Sequence, residues 1–152
     1  MTTHKIKFRP ADSDESDTVA SIAWTSRKYF LPYLPGLHPM DDYRQFYRKN
    51  VFVACDVWVV EDNQNVVGFC AFKEGWVEHL YLLPSHVGRT LGETLLNTAK
   101  EKYDLLQLWV FQRNSRAISF YERNGFTKVK ETDGTSNEEN LPDALFEWRR
   151  PL

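Results

Sequence analysis

The stretch Asn114 to Phe126, Asn-Ser-Arg-Ala-Ile-Ser-Phe-Tyr-Glu-Arg-Asn-Gly-Phe (NSRAISFYERNGF), decides how this chain is read. It follows LLQLWVF, Leu105 to Phe111, an apolar run of strand length. Asn114 can cap a helix by accepting from an unpaired backbone N–H of the first turn. The pattern predicts a helix from Ser115 to Asn124, with Ala117, Ile118 and Tyr121 sharing a face. Gly125 stands where helices end in the left-handed conformation, which costs glycine no Cβ clash. FTKVKE, Phe126 to Glu131, then alternates as a half-buried strand.

Upstream, the turn Val87-Gly88-Arg89-Thr90-Leu91-Gly92 lies between LYLLP and ETLLNTAKEKY. Leu91, Leu95, Ala99 and Tyr103 recur at helical spacing. A strand, a glycine-bearing turn and a helix in succession can hold an anion, because the first amides of a helix lack partners and the dipole favours negative charge. Before it, strands are predicted over Val51 to Val60, Val66 to Phe72 and Trp76 to Leu83. Their connectors, EDNQN and KEG, are too short for parallel crossovers, so an antiparallel meander is expected. At the N-terminus, Lys5 to Arg9 alternates as a strand that Pro10 ends. A helix capped by Asp12 or Ser13 then runs to about Phe30. LPYLPGLHP, Leu31 to Pro39, is a loop by its prolines and glycine, and Asp41 to about Asn50 a short second helix. TDGTSNEENLP is a polar loop, and DALFEWR closes the chain as a last strand.

At 152 residues the chain suits one domain over residues 1–152. Its 42% hydrophobic and 14% aromatic content can fill a core. A net charge of −2 offers no broad basic face for nucleic acid. No apolar run nears the roughly 20 residues of a membrane helix. MTTHKIKFRP lacks the apolar centre of a signal peptide, so a cytoplasmic protein is expected. Cys55 and Cys70 match no metal spacing and read as reduced core residues of two strand-like runs, so no metal is expected. A P-loop, a three-glycine dinucleotide turn and a G-x-S-x-G elbow are all missing, although Ser85 and His86 are adjacent.

LYLLPSHVGRTLGETLL and NSRAISFYERNGF, in this order of elements, closely resemble the GCN5-related N-acetyltransferase (GNAT) superfamily from Lys5 to Trp148. Asn114, Ala117, Phe120, Tyr121, Glu122, Gly125 and Phe126 match that family's N-x-x-A-x-x-F-Y-E-x-x-G-F pattern. TDGTSNEENLPD followed by FEW looks like the C-terminal part of a bacterial branch. The turn departs from the family's Q/R-x-x-G-x-G/A pattern twice. Val87 replaces Gln or Arg, Thr90 replaces the first glycine, and only Gly92 matches. The resemblance implies an α+β fold: three αβα layers around a central mixed, mostly antiparallel sheet of about seven strands, splayed between strands 4 and 5. It implies direct transfer of the acetyl group of acetyl-CoA to a primary amine of a small molecule or peptide. Dimerisation is common in the family, so a homodimer is a further expectation, though nothing in the sequence specifies an interface. The alternative is a non-catalytic module of the same fold, binding acyl-CoA or a protein.

The same resemblance implies site residues. The coenzyme pyrophosphate would lie on the amides of Gly88, Arg89, Thr90, Leu91, Gly92 and Glu93. The pantetheine arm would pair with Leu80, Tyr81 and Leu82, Leu80 and Leu82 through their backbones. An N–H near Leu82 would face the thioester carbonyl. Tyr121 would protonate the departing thiolate, and Asn114 would cap its helix, contact the arm, or both. Glu78, in an apolar run where an unpaired carboxylate is costly, is the first candidate base, directly or through water, and His79 the second. The family's fifth-strand glutamate is here Trp109. Trp24, Tyr29, Phe30, Tyr33 and His38 are the candidate acceptor wall. The acidic loop Asp133 to Glu139 reads as a solvated loop before a magnet for cations.

Overall fold

The computed structural model describes residues 5–34, 38–88 and 90–152. Its strands form one sheet in the order β1-β2-β3-β4-β5-β7-β6. β1 (Ile6–Pro10), β2 (Asp56–Asp62), β3 (Asn65–Lys73) and β4 (Gly75–Leu82) pair in sequence, each antiparallel to the last. The turn between β2 and β3 uses Asn63 and Gln64 at φ 51° and 72°, left-handed backbone that matches the twist of a tight hairpin. β5 (Leu105–Phe111) pairs antiparallel with β7 (Asp143–Arg149), and β7 with β6 (Thr127–Glu131). The two halves join through parallel pairing at Gly75 with Leu106 and Trp76 with Gln107 only. Past that point β4 and β5 diverge, which is the splay expected between strands 4 and 5.

Helices cover both faces. α1 (Ser16–Phe30) presents Val19, Ala20, Ile22 and Ala23 to Val59, Phe69 and Ala71 of the sheet. Before it, a 3-10 turn is closed by Glu15, whose carboxylate accepts from the N–H of Asp12 at 2.8 Å. On the other face lie α4 (Leu91–Lys102) and α5 (Ser115–Arg123). There Leu95, Leu96 and Ala99 pack on Cys70, Phe72, Leu106 and Phe146. Each large side chain buried this way stabilises the fold by about 1.5–3 kcal/mol, so the layers are held mainly by apolar burial.

One expected strand boundary is corrected. Val51 to Ala54 does not begin β2 but ends the preceding helix. α2 (Met40–Phe46) passes through a π-helical turn, Tyr47–Val51, into α3 (Phe52–Ala54). Tyr43, Tyr47 and Val51 lie four apart: Tyr43 stacks on Tyr47, and Tyr47 and Val51 are buried together against α1 and the sheet. The N–H of Cys55 closes the last turn on the carbonyl of Val51 at 2.9 Å. The expectation of a core strand cysteine is therefore corrected for Cys55, a half-buried junction residue before β2, and holds for Cys70, a buried residue of β3.

The pairing of β3 with β4 shifts between Ala71 and Phe72: Ala71 faces His79 and Phe72 faces Val77, leaving Glu78 as an extra residue on β4. The bulged residue lies two positions past Trp76, the last residue of β4 to pair with β5. Among the described residues, no helix is long and apolar enough to cross a membrane, and no cluster of His, Cys, Asp or Glu could hold a metal ion.

Candidate active site

A cavity of about 550 Å³ opens where β4 leaves β5. Its floor is β4, through Leu80, Tyr81 and Leu82. The backbone there has unused capacity. Leu83 donates to Val67 across the β3 ladder at 2.8 Å, so alternation along an antiparallel pair turns the N–H and C=O of Leu82 and Leu80 toward the departed β5. The carbonyl of Leu82 accepts from Ser26 Oγ of α1 at 2.7 Å. Sequence reasoning missed Ser26, which no motif marks.

One end of the cavity is the start of α4, with Val87, Gly88, Thr90, Gly92 and Glu93 in its wall. Gly88 has φ +78° and Thr90 φ +62°, so the loop needs left-handed backbone at both, including where the sequence has a threonine. The Thr90 side chain makes no capping hydrogen bond. Gly92 allows close packing: a Cβ there would lie 3.3 Å from the Phe120 ring. Leu91 turns its side chain into the core and does not line the cavity. Arg89 lies outside the described residues.

The opposite wall is α5, through Arg116, Ala117, Phe120, Tyr121 and, at its end, Arg123 and Asn124. Their spacing of three and four marks one helical face, the signal by which Arg116 and Arg123 were findable. The Tyr121 ring meets Phe120 and Phe126 edge-on at 5.2 and 5.5 Å. Its hydroxyl makes no hydrogen bond among the described residues. Burial pushes this phenol upward in pKa, helped by the Cys70 thiol and Tyr81 phenol, so it holds its proton at neutral pH. Asn114 caps α5, its Oδ1 accepting from the N–H of Ala117 at 3.2 Å, and does not line the cavity.

The other expected residues separate. Glu78 at the bulge is over a third exposed, lies 3.4 Å from Lys73 Nζ and is not in the cavity wall. The expectation of a costly unpaired carboxylate there is corrected, because the bulge and Lys73 relieve it. His79 packs against Tyr47 at 5.4 Å and near Phe46 and Tyr81. Burial, with the Arg27 cation, pushes its pKa down to about 4, so it is neutral at pH 7. Phe30 lines the cavity beneath the Arg116 guanidinium, 3.7 Å from the ring. Tyr33 lies against Arg113 at 4.1 Å, its hydroxyl buried without a hydrogen bond among the described residues. Trp24 instead donates to the carbonyl of His38 at 3.0 Å, and Tyr29 is 65% exposed.

The acidic loop does more than face solvent. Glu139 accepts from Arg27 at 2.5 Å, and Glu138 pairs with His38, so the β6–β7 loop is fastened to α1 and to the segment after it. Arg27 and Glu139 are 112 positions apart, which hid the pair from the sequence. A second cavity of about 420 Å³ lies beside this clasp, between the β6–β7 loop and β5, with Trp109, Phe111 and Glu139 in its wall.

A family model described as an acetyltransferase (GNAT) domain matches residues 53–128, half of the chain. The peptidyl-lysine N-acetyltransferase YiaC of Escherichia coli is 30% identical over 92 residues, 60% of this chain and 62% of that protein. The spermidine N(1)-acetyltransferase of Thermoplasma acidophilum is 35% identical over 82 residues, 48% of this chain and 50% of that protein. The matches thus span about half to three fifths of the length of these relatives. In fold, the PaiA N-acetyltransferase of T. acidophilum in complex with coenzyme A superposes with TM-score 0.78 at 24% identity, over 95% of this chain and 99% of the other. With the domain match covering β2 through α5 and into β6, the chain belongs to the GNAT family of acetyltransferases.

Proposed function

We propose that the protein transfers the acetyl group of acetyl-CoA directly to a primary amine of a small molecule or peptide. One cavity joins the unpaired edge of β4, the first turn of α4 and Tyr121, and that junction supports the reading. Coenzyme pyrophosphate would sit on the amides following Gly88, with Arg116 and Arg123 adding positive charge along the wall. The pantetheine arm would add to β4 as a short strand through Leu80 and the N–H of Leu82.

The reaction follows from these positions. The amine nitrogen attacks the thioester carbon, and the oxyanion meets the N–H of Leu82. As the C–N bond forms and the C–S bond breaks, the electron pair goes to sulfur and Tyr121 supplies the proton. The burial that raises the Tyr121 phenol would raise a thiolate in the same cavity too, which keeps donor and acceptor matched. An ammonium of pKa about 10.4 must first lose a proton. Glu78, outside the wall and paired with Lys73, would take it only through water. Named relatives act on peptide lysine and on spermidine, both primary amines, which supports this acceptor class.

Thermal unfolding with acetyl-CoA, CoA and unrelated nucleotides tests the first step, since a ligand stabilises the state it binds. No shift at millimolar acetyl-CoA removes the proposal. Binding without transfer across a panel of amines, amino acids and peptides leaves a non-catalytic module. Tyr121→Phe is expected to lower kcat by about 10²–10⁴ while acetyl-CoA binding stays within a few-fold.

A further inference from the structure

The adjacent pair Ser85-His86 takes no part in the proposed chemistry, yet the fold places it in a defined cluster. His86 ends the 3-10 turn Pro84–His86, one residue before the loop that enters the cavity wall at Val87. Its Nε2 lies 2.9 Å from Oδ2 of Asp62, and its Nδ1 lies 2.7 Å from Ser85 Oγ. Both ring nitrogens are engaged, which fixes the orientation of the imidazole. Asp62 is the last residue of β2 and only 7% exposed, a place where a carboxylate is retained when it has a strong partner. The hairpin beneath is held in turn: the N–H of Asn63 donates to the carbonyl of Lys5 at 3.0 Å, and Lys5 N–H to Asn63 Oδ1 at 3.2 Å.

Serine, histidine and aspartate in this order match an acyl-transfer relay. However, Ser85 is exposed and neither it nor His86 lines the cavity. Their location suits another task. The loop after His86 must hold left-handed backbone at Thr90, a strained conformation for a residue with a Cβ. Its two fixed ends are His86 and the first turn of α4.

We propose that His86 and Asp62 form a tether that positions the β4–α4 loop for the coenzyme's pyrophosphate, making both positioning residues for donor binding. This rests on the acetyl-CoA reading of the cavity. The tether acts on the phosphate-bearing end of the donor and not on the thioester end. S-acetylpantetheine, which carries the thioester and the arm without pyrophosphate, therefore serves as an internal control. The measured quantity is the ratio of kcat/KM for acetyl-CoA to kcat/KM for S-acetylpantetheine, with one amine acceptor.

In His86→Ala and in Asp62→Ala the ratio is expected to fall about tenfold, through KM for acetyl-CoA, with kcat at saturation within about twofold. The double variant should lose no more than Asp62→Ala alone, because His86→Ala breaks only a contact that Asp62→Ala already removes. His86→Gln, which can still donate to Asp62, should recover most of the ratio and serves where the alanine variants fold poorly. An unchanged ratio, equal losses with both donors, or losses that multiply in the double variant overturn the tether. Wild-type protein inactive with both donors overturns the acetyl-transfer reading itself. An active wild type with an unchanged variant ratio overturns the tether alone.

Discussion

Thr90→Gly should stabilise the protein and leave acetyl-CoA binding intact or tighter. Thr90 sits at φ 62°, ψ 3°, immediately before α4. Left-handed backbone costs an L-residue about 1–2 kcal/mol, because Cβ crowds the following carbonyl. Glycine removes that cost but adds about 0.5–1 kcal/mol of unfolded-chain entropy. Nothing else is lost: the threonine side chain is exposed and makes no capping hydrogen bond, and the bond from Thr94 N–H at 3.2 Å uses the carbonyl of residue 90, which glycine retains. The balance is a gain of about 0–1.5 kcal/mol, or at most about 6 °C in Tm for a domain of this size. Removing a Cβ from the cavity wall also opens the approach to the amides behind it, so the dissociation constant for acetyl-CoA should stay equal or fall. Scanning calorimetry and titration calorimetry read the two quantities. Thr90→Ala separates the causes, since it removes the hydroxyl but keeps the strained Cβ. A fivefold or greater loss of affinity in both variants would show the hydroxyl to be a phosphate ligand and refute the strain account.

Glu78→Gln should lower kcat by less than tenfold, as befits a carboxylate outside the wall; a loss of a hundredfold would place it against the acceptor in the working complex. Glu139→Gln weakens the clasp on Arg27, whose Nε is already buried without a hydrogen bond among the described residues, so a loss of about 1–3 kcal/mol is expected in urea unfolding. An unchanged midpoint there would mean that the loop is not held by this pair. His79 has a folded pKa near 4 against an unfolded value near 6.5, so the unfolded state binds the extra proton first. Its stabilisation is complete above about pH 6.5 and is lost as pH falls toward 4, by about 3 kcal/mol at most because the ring is part-exposed. His79→Phe should flatten the fall in Tm over that window, and parallel curves for variant and wild type would refute it.

What the sequence could reveal depended on whether the cause was local. α5 was legible because its cap, its apolar face and its terminal glycine all lie within thirteen residues of chain, and the structure realises each one. The β2–β3–β4 meander was legible because its connectors are too short for anything else. Val51 to Ala54 was not, because a short apolar run fits strand and buried helix equally. The spacing of Tyr43, Tyr47 and Val51 that decides it begins outside that run. Arg27 with Glu139, and His86 with Asp62, are held by tertiary placement alone, and no periodicity announces such pairs. Thr90 is the instructive middle case. The departure from the family pattern puts a Cβ where a glycine is usual, and the backbone there still has positive φ, so the threonine bears the strain.

Glu78 shows how one residue can matter through backbone more than through chemistry. β4 and β5 pair at Gly75 and Trp76, and the extra residue at 78 comes two positions later. A bulge bends its strand and increases its local twist. β4 therefore turns away from β5 at the point where their ladder stops. The N–H and C=O of Leu80 and the N–H of Leu82 consequently face a gap and not a neighbouring strand. Buried backbone groups left unpaired cost about 1–3 kcal/mol each, so water or a ligand has to meet them. In the proposed complex an extended arm carrying amides would meet them in the pattern that β5 would have used, and would end beside Tyr121. The same bulge breaks strict alternation along β4. It leaves Leu80 and Leu82 packed on the α4 and α5 side while His79 and Tyr81 face α1 and α2. A side-chain reading of Glu78 as the base and a backbone reading of it as the source of the gap make different demands on position 78. The first requires a carboxylate; the second requires only that a residue be there.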